Sequence, residues 1–545
     1  MMKTPQMISV QQIILPITHA EDELQQKIAG ILGLEFDQVK DYSVTKRAID
    51  SRKKRRMVYF VYSVEVLVED VAVVFDNESN KKNIALHRVE IKEPYVYEVL
   101  KIKKTKTTSR PIVVGTGPCG LFCALILAKA GMKPLVVERG GDVDSRIEDV
   151  ESFLSVGKFN AQSNIQFGEG GAGTFSDGKL NTLITNPRKK FIFDALVNAG
   201  APESILFDAQ PHIGTDKIRH VAKHLRKQIE DLGGSVRFNT KLTDINIANN
   251  KVSSVILDDN EEIQTDILVL AIGYSARDTY EMLHRNKLDM EQKPFSIGVR
   301  IEHKAEMINK AQYDKFYDNP LLGTGRYKLV SHSDVNRSVY TFCMCPGGYV
   351  MPSSSEEGGV VTNGMSEYAQ DGENSNSALL VNVFPKDFGS DHPLEGMEFQ
   401  RKLERKAFDL GGKNYFAPVQ LVGDFLKNST STKIKSITPS YKPGVALSTL
   451  DTCLPDFVAE SIREALPKLD CKIKGFAHPD AILTAIETRS SSPLRIKRDS
   501  LNFQSNIEGI YPAGEGAGYA GGIVSSAVDG MKVSEAIIEQ NNVMS

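Results

Sequence analysis

The 545-residue chain contains no tryptophan, only six cysteines and no long apolar run. Six scattered cysteines do not form a disulfide framework, and no stretch reaches the roughly 18 apolar residues that a spanning helix needs. Neither sign of charge dominates, because the net charge is only −3, so composition gives no general attraction to nucleic acid or membranes. The first residues also lack the charged start and apolar core of a signal peptide. We therefore expect a cytoplasmic protein without a membrane partner.

Several catalytic motifs are missing as well. There is no G-x-S-x-G segment, which argues against a serine hydrolase of the α/β type. Histidines such as His303 and His332 stand alone, without the spacing of zinc ligands, so we predict no metal site. Only one complete dinucleotide fingerprint is present. A disulfide reductase with two nucleotide domains is therefore not expected.

That fingerprint lies between Arg110 and Gly141. Residues 112–114 are a short apolar run typical of a strand in a parallel sheet. Three glycines follow with G-x-G-x-x-G spacing, which suits a tight turn, a nearby pyrophosphate and close helix packing: Gly115, Gly117 and Gly120. Pro118 fits the first helical turn. A second strand ends at Glu138, whose carboxylate would accept hydrogen bonds from a ribose diol, so the pattern predicts FAD or NAD.

A second glycine-rich segment, residues 509–531, leads from a short strand into a helix that runs to about residue 539. With the first motif, it resembles the FAD-binding fold shared by glutathione reductase, p-hydroxybenzoate hydroxylase and fumarate reductase. The resemblance implies that an acidic residue here binds the ribityl chain or pyrophosphate and that the helix N-terminus points at the flavin. The implied cofactor-binding residues are Gly514, Glu515, Gly521, Gly522 and Ile523.

Four further stretches, residues 211–217, 294–303, 342–348 and 487–496, are similar to a bacterial group of FAD-dependent dehydrogenases, also described as NAD(P)/FAD-dependent oxidoreductases. This resemblance covers nearly the whole chain. It implies that the glycine-rich loop at 166–181 lies against the flavin, although a structural Ω-loop is the alternative, and that backbone near Leu242 meets the adenine. The other residues expected at the cofactor are Arg139, Gly170, Gly171, Gly173, Thr174, Lys179 and Gly273.

The fold class predicted is α/β, in four segments. Residues 1–105 form an α+β module with a ferredoxin-like order of elements, and 106–290 form the first part of a Rossmann-like FAD-binding domain with a parallel sheet. Residues 291–475 form an inserted antiparallel, β-rich substrate domain, and 476–545 return to the FAD-binding domain. A basic run at 52–56 in the first module could bind RNA or phosphate, or could be a solvated loop.

Four residues are candidates for catalysis. Cys343 and Cys345 alternate in a predicted strand and would face one cavity, although two small buried side chains are an equally simple interpretation. Glu487 and Arg489 could handle protons or an anionic substrate, or could join the domains. Two more cysteines, at 119 and 123, lie inside the fingerprint helix and are interpreted as packing residues, so no cysteine pair is expected to exchange electrons with the flavin.

Together these patterns predict an FAD-dependent dehydrogenase or reductase that moves a hydride between the flavin and an unidentified small-molecule substrate. NAD(P)H would visit the flavin only transiently, because a second nucleotide domain is not predicted. Three alternatives stay open. They are a flavin monooxygenase, an FAD-dependent RNA-modifying protein that uses the basic N-terminal module, and a flavin-binding scaffold without turnover.

Overall fold

The structure of the chain is a computed structural model that describes residues 5–52, 57–93, 95–102, 109–334 and 337–542. Most of the basic run at 52–56 lies outside the described residues, so the hypothesis of an RNA-binding loop there is not addressed. The secondary structure is mixed, with one parallel sheet and several antiparallel sheets. The predicted α/β class is confirmed.

The N-terminal module folds as a four-stranded antiparallel sheet with the order β2-β3-β1-β4. Side chains along β3 alternate between buried and partly exposed, as expected for a sheet that is covered on one face. Its chain order is βαββααβ, which matches the ferredoxin-like order that the sequence predicts except that two short helices stand between the third and fourth strands. The elements are β1 (Gln6–Pro16), α1 (Glu23–Leu32), β2 (Tyr42–Asp50), β3 (Tyr59–Val68), α2 (Val71–Phe75), α3 (Lys81–Leu86) and β4 (Glu90–Lys92).

The next segment carries the fingerprint. Its elements are β5 (Ile112–Val114), α4 (Pro118–Ala130), β6 (Leu135–Val137), α5 (Val143–Val156), α6 (Arg188–Asn198), α7 (Thr215–Asp231), β7 (Ser235–Arg237), β8 (Leu242–Ala248), β9 (Lys251–Leu257), β10 (Glu261–Gln264), β11 (Leu268–Leu270), α8 (Arg277–Arg285) and β12 (Met290–Gln292). Strands β5 and β6 are buried throughout, as strands covered by helices on both faces must be.

The rest of the chain forms a larger antiparallel region and then returns to the parallel sheet. Its elements are β13 (Phe295–Lys304), α9 (Ala305–Tyr313), β14 (Val330–His332), β15 (Ser338–Cys345), β16 (Tyr349–Pro352), β17 (Thr362–Met365), β18 (Asn374–Val383), α10 (Glu395–Leu410), β19 (Ala417–Leu421), α11 (Val422–Phe425), β20 (Val445–Leu447), α12 (Asp456–Asp470), β21 (Ile482–Glu487), β22 (Leu494–Ile496), β23 (Ile510–Pro512) and α13 (Ile523–Asn541).

The parallel sheet has five strands in the order β23-β11-β5-β6-β7. All of these strands run in the same direction, and β5 pairs in parallel with β11. The chain places β6 and β7 on one side of β5 and β11 and β23 on the other, so the strand order reverses between β5 and β11. In open α/β sheets a ligand binds at the carboxyl ends of the strands beside such a switch point. Helices α4 and α13 pack closely there, because a Cβ added at Gly530 would lie 2.2 Å from the carbonyl oxygen of Cys119.

The second large sheet, which we call the antiparallel sheet, has seven strands in the order β14-β15-β18-β13-β21-β19-β20, and its edge pair β19–β20 is parallel. Strand β21 lies between β13 and β19 and pairs with both. The predicted boundary of the inserted domain at residue 475 therefore falls before one of the central strands of its sheet. The chain leaves the antiparallel sheet only after Glu487, at the end of β21. The turn at Glu487–Arg489 therefore lies where the two sheets meet.

Candidate active site

A cavity of about 360 Å³ lies at the switch point of the parallel sheet, where the antiparallel sheet meets it. This volume is within the range of roughly 300–1,000 Å³ found for ligand pockets. Seventeen of the predicted site residues line it: Gly115, Gly117, Pro118, Glu138, Arg139, Gly171, Gly173, Lys179, Leu242, Gly273, Glu515, Gly521, Gly522, Ile523, Cys343, Glu487 and Arg489. Segments that are about 400 residues apart in the chain thus share one cavity.

Part of the lining is backbone, which we call the glycine wall: Gly115, Gly117, Gly273, Gly521 and Gly522. A Cβ added at Gly273 or Gly521 would meet no atom within 4 Å, and one at Gly117 would meet only Gly171 at 3.9 Å. The absence of side chains here therefore leaves open space in front of the backbone. A ligand can approach the main chain closely at these positions.

Close packing explains several glycines, among them Gly115, which also belongs to the glycine wall. A Cβ at Gly120 would lie 1.9 Å from the carbonyl oxygen of Gly115, and one at Gly115 would lie 2.4 Å from the carbonyl oxygen of Ala271. Gly170 and Gly514 have φ angles of 82° and 73°, a region that side chains rarely adopt. Neither Gly120, Gly170 nor Gly514 lines the cavity. We therefore assign these three to backbone geometry rather than to ligand contact.

Two helices begin at the glycine wall. Helix α4 begins at Pro118 after Gly117, and α13 begins at Ile523 after Gly522. The first N–H groups of a helix lack partners within the helix, and the helix dipole adds partial positive charge at this end. Two such ends at one cavity favour a ligand that carries negative charge.

The carboxylate of Glu138 is held by the protein itself. Its Oε2 accepts hydrogen bonds from the backbone N–H (3.0 Å) and hydroxyl (2.8 Å) of Thr116, and its Oε1 accepts from the N–H groups of Gly140 and Gly168 at 3.0 Å each. Four donors use the roughly four acceptor positions of a carboxylate. A ribose diol would therefore replace one of them, and the Thr116 hydroxyl is the one that can rotate away.

The loop at 166–181 is fixed by a residue that the sequence does not single out. Arg146, on α5, is fully buried and donates to three backbone carbonyl oxygens, those of Asn164, Ile165 and Glu169, at 2.7–2.9 Å. Thr174 is also buried and donates its hydroxyl to Glu169 rather than to the cavity. No pattern in the chain marks Arg146, since its role depends on the fold of a loop about 20 residues away.

A second part of the lining consists of ionisable side chains, which we call the titratable wall: Asp177, Lys179, Cys343 and Glu487. Lys179 Nζ lies 2.8 Å from Asp177 Oδ2, 3.9 Å from Cys343 Sγ and 3.7 Å from Cys345 Sγ. Burial alone would lower the pKa of Lys179, but the charge of Asp177 and the two sulfurs raise it. The ammonium group is therefore a fixed positive charge on this wall.

The two predicted thiols occupy different places. Cys343 lines the cavity, whereas Cys345 is fully buried and does not. A hydrogen bond from the Cys345 thiol, together with the charges of Lys179 and Arg300, lowers the pKa of Cys343 below its usual range against the effect of burial. The pKa of Cys345 is raised well above its usual range by the same hydrogen bond and by burial. Of the two predicted thiols, Cys343 therefore reaches the cavity and Cys345 lies behind it.

Glu487 ends β21 and is almost completely buried. Burial raises its pKa to about 7, although Arg300, whose Nη1 lies 3.2 Å from Oε2, opposes the shift. Glu515 has a pKa raised to about 7 for the same reason, opposed by Lys293. Both carboxyl groups can therefore take up or release a proton near neutral pH.

Arg489 lines the cavity, but its guanidinium group donates its hydrogen bonds to protein side chains. Its Nε and Nη2 donate to the two oxygens of Glu404 at 3.0 and 2.8 Å, and Nη1 donates to the hydroxyls of Ser275 and Ser355. Arg277 contacts the same carboxylate at 2.7 Å. This geometry favours the second predicted role of Arg489, joining the domains, over the binding of an anionic substrate. Glu404, on α10, carries no sequence signal.

Comparisons with known proteins show to which chains this one is similar. The family described as "FAD-dependent protein, C-terminal domain-like" matches residues 294–490, and a domain of unknown function matches 7–67. An uncharacterized protein from Clostridium beijerinckii is 47% identical over 539 residues, which are 98% of this chain and 99% of that one. The first family match includes most of the antiparallel sheet and all four predicted catalytic residues.

Solved structures of flavoproteins are similar at lower identity. A flavin-dependent brominase variant is 12% identical with a TM-score of 0.37 and covers 79% of this chain and 80% of its own. L-proline dehydrogenase from P. horikoshii is 12% identical with a TM-score of 0.34, covering 79% and 94%. Within the described residues, no helix is long and apolar enough to cross a membrane, and no group of three or more potential ligands could hold a metal ion.

Proposed function

Because the chain is an FAD-dependent oxidoreductase, a member of the family of FAD-dependent proteins that share this C-terminal domain, we propose that FAD binds in the cavity and exchanges a hydride with a small organic substrate. The observation that carries the proposal is that the glycine wall and the titratable wall line the same cavity. The glycine wall offers backbone and two helix N-termini, and the titratable wall offers groups that hold charge or move protons.

The residues present fit FAD. The open space in front of Gly117, Gly273 and Gly521 is what a bound cofactor would fill, and the N-termini of α4 and α13 would stabilise its pyrophosphate and the negative charge of a reduced ring. Glu138 would bind the ribose. The carboxylate of Glu515 makes no side-chain hydrogen bond within the described part of the chain, so it is available to a hydroxyl of the cofactor.

When bound, FAD supplies the acceptor or donor of the hydride. The protein positions the substrate and manages the proton. Glu487 is placed for the proton, because its pKa of about 7 lets it act in both directions at neutral pH. Lys179 supplies a fixed positive charge for an anionic group or a developing negative charge. Arg489 is a positioning residue that holds the turn after β21.

Anaerobic stopped-flow measurement tests the reaction. We expect NADH or NADPH to bleach the absorbance of the oxidised flavin in the reconstituted protein. We also expect the rate to depend on pH with a midpoint near 7, because Glu487 changes protonation there. Glu487→Gln should remove this dependence while FAD stays bound. Glu302→Gln is the matched control, since Glu302 is equally buried on the same sheet but does not line the cavity.

Two results would contradict the proposal. Flavin that stays oxidised with both nicotinamide donors would favour the scaffold without turnover. A product that carries an atom from isotopically labelled O₂ would favour the monooxygenase. A pH midpoint that is unchanged in Glu487→Gln would remove the proton role of Glu487 and leave the binding of FAD intact.

A further inference from the structure

An irregularity in β15 places both cysteine sulfurs beside one lysine. The strand pairs with β18 up to Phe342↔Ala378 and resumes at Cys345↔Asn376, so β15 contains one extra residue at this point. Cys343 lies at the irregularity with a φ of 43°, which is unusual for a residue with a side chain. Bulges of this kind re-aim side chains, and here both sulfurs lie within 3.9 Å of one Lys179 Nζ.

The two sulfurs differ in exposure to the cavity, which suits Cys343 as the attacking thiol and the buried Cys345 as the second thiol of a pair. Cys343 is on the cavity wall, and Cys345 lies behind it with its Sγ 3.3 Å from the carbonyl oxygen of Cys343. Arg300 contacts both residues, with Nη2 at 3.0 Å from the Cys343 oxygen and 3.6 Å from the Cys345 sulfur. Positive charge at an accessible cysteine stabilises its thiolate, which is the reactive form.

The remaining cysteines do not combine these features, although Cys119 also lines the cavity. Cys119 and Cys123 are buried in α4, where burial raises the pKa of both thiols. Burial also raises the pKa of Cys453 to about 12. Cys471 is exposed and does not line the cavity. The pair at 343 and 345 is therefore distinguished by its surroundings rather than by its spacing alone.

We propose that Cys343 and Cys345 form a reversible dithiol–disulfide pair that exchanges two electrons with the FAD bound in the same cavity. The proposal rests on the proposed function for its electron partner, but the closing of the disulfide does not. Cys343 attacks as the thiolate, and Cys345 supplies the second sulfur. The pair is then a second group, beside the cofactor, that can accept or donate two electrons.

The reaction balances without another reactant. The Cys343 thiolate and the Cys345 thiol lose two electrons and one proton as the S–S bond forms. Oxidised FAD gains the same two electrons and one proton to become anionic reduced FAD. The net charge is the same on both sides, and the reverse reaction opens the disulfide. Both states keep one negative charge near Lys179, Arg300 and the helix N-termini, which stabilise it.

The first experiment needs no cofactor. The apoprotein is treated with diamide, digested, and its peptides are analysed by mass spectrometry. We expect a bridge between Cys343 and Cys345, seen as the loss of two hydrogen atoms and reversed by dithiothreitol. Cys343→Ser and Cys345→Ser should abolish it, and Cys453→Ser is the matched control that should retain it. Two free thiols after oxidation, or an adduct on Cys343 without a bridge, would overturn the proposal.

The second experiment counts electrons. Anaerobic titration of the oxidised holoenzyme with dithionite should consume four electrons per bound FAD in the wild type and two in Cys343→Ser or Cys345→Ser. A wild type that consumes two, despite forming the bridge, would overturn the coupling to FAD. A bridge in a protein that binds no FAD would instead overturn the proposed function, so the two failures are distinguishable.

Discussion

The two walls of the cavity are built in different ways. The glycine wall is main chain from short turns that follow β5, β11 and β23, and its function depends on the absence of side chains. The titratable wall is made of side chains from a loop, a strand irregularity and a strand end, and its function depends on their mutual distances. A backbone site is specified by local sequence, whereas a side-chain site is specified only when distant segments meet.

The largest effect is expected where the two walls are held together. Arg277 from α8 and Arg489 after β21 share the buried carboxylate of Glu404. Glu404→Gln leaves two buried guanidinium groups without a full counter-charge, so we expect a loss of about 3–5 kcal/mol in the free energy of unfolding. Chemical denaturation at neutral pH measures it. Glu398→Gln is the control, since Glu398 lies on the same helix and is more exposed.

The pH dependence sharpens this prediction. The two arginines hold the pKa of Glu404 below its usual range although burial opposes them. The stabilisation is therefore present above the unfolded-state pKa, about 4.3, and is lost as the pH falls through the folded-state pKa. Glu404→Gln should flatten the acid side of the stability curve. An equally steep acid loss in the variant would place the source elsewhere.

The next prediction compares a glycine needed for packing, Gly120, with a glycine of the glycine wall, Gly521. Gly120→Ala places a Cβ against the backbone of Gly115, so we expect a loss of about 1–3 kcal/mol in the free energy of unfolding. Gly521→Ala meets no atom within 4 Å, so stability should change by less than about 0.5 kcal/mol while affinity for FAD falls. Denaturation and FAD titration of both variants check this. Equal stability losses would show that the glycine wall is also a packing feature.

The smallest effect concerns charge on the titratable wall. Lys179→Met removes a positive charge within 4 Å of Cys343, so the pKa of that thiol should rise by about one unit or more. The rate of alkylation by iodoacetamide against pH measures it, because the thiolate is the form that reacts and the pKa of Cys343 is lowered in the wild type. Lys179→Arg keeps the charge and should keep the low midpoint. If the alkylation midpoint were the same in both variants, the lowered pKa of Cys343 would be due to Arg300 and Cys345 rather than to Lys179.

The sequence predicted the glycine wall well because each part of it is a local pattern. The G-x-G-x-x-G spacing, the second strand with its terminal Glu138 and the C-terminal turn into α13 all occupy a few consecutive residues. It also placed Cys343 and Glu487 at the cavity. Strand alternation alone, however, predicted that both thiols face the cavity, and the extra residue in β15 leaves only Cys343 there.

The rest depends on contacts between distant segments. Lys179 and Cys343 are 164 residues apart in the chain, and Arg277 and Glu404 are 127 apart. No local period or motif relates such pairs. The predicted boundary at 475 precedes β21, and from the sequence alone β21 could be a buried strand of either sheet until its pairing with β13 is known. Side-chain partners and strand order are therefore the information that only the fold supplies.

Titration of the apoprotein with FAD, followed by flavin fluorescence, tests the central claim most directly. The wild type should bind one FAD per chain. Gly117→Glu should weaken binding by about a hundredfold or more, because a carboxylate would lie against the pyrophosphate at a cost of ~3 kcal/mol. Gly30→Glu introduces the same charge on an exposed face of α1, where a Cβ meets nothing, and should bind as the wild type does. Equal affinity in all three proteins would contradict the account.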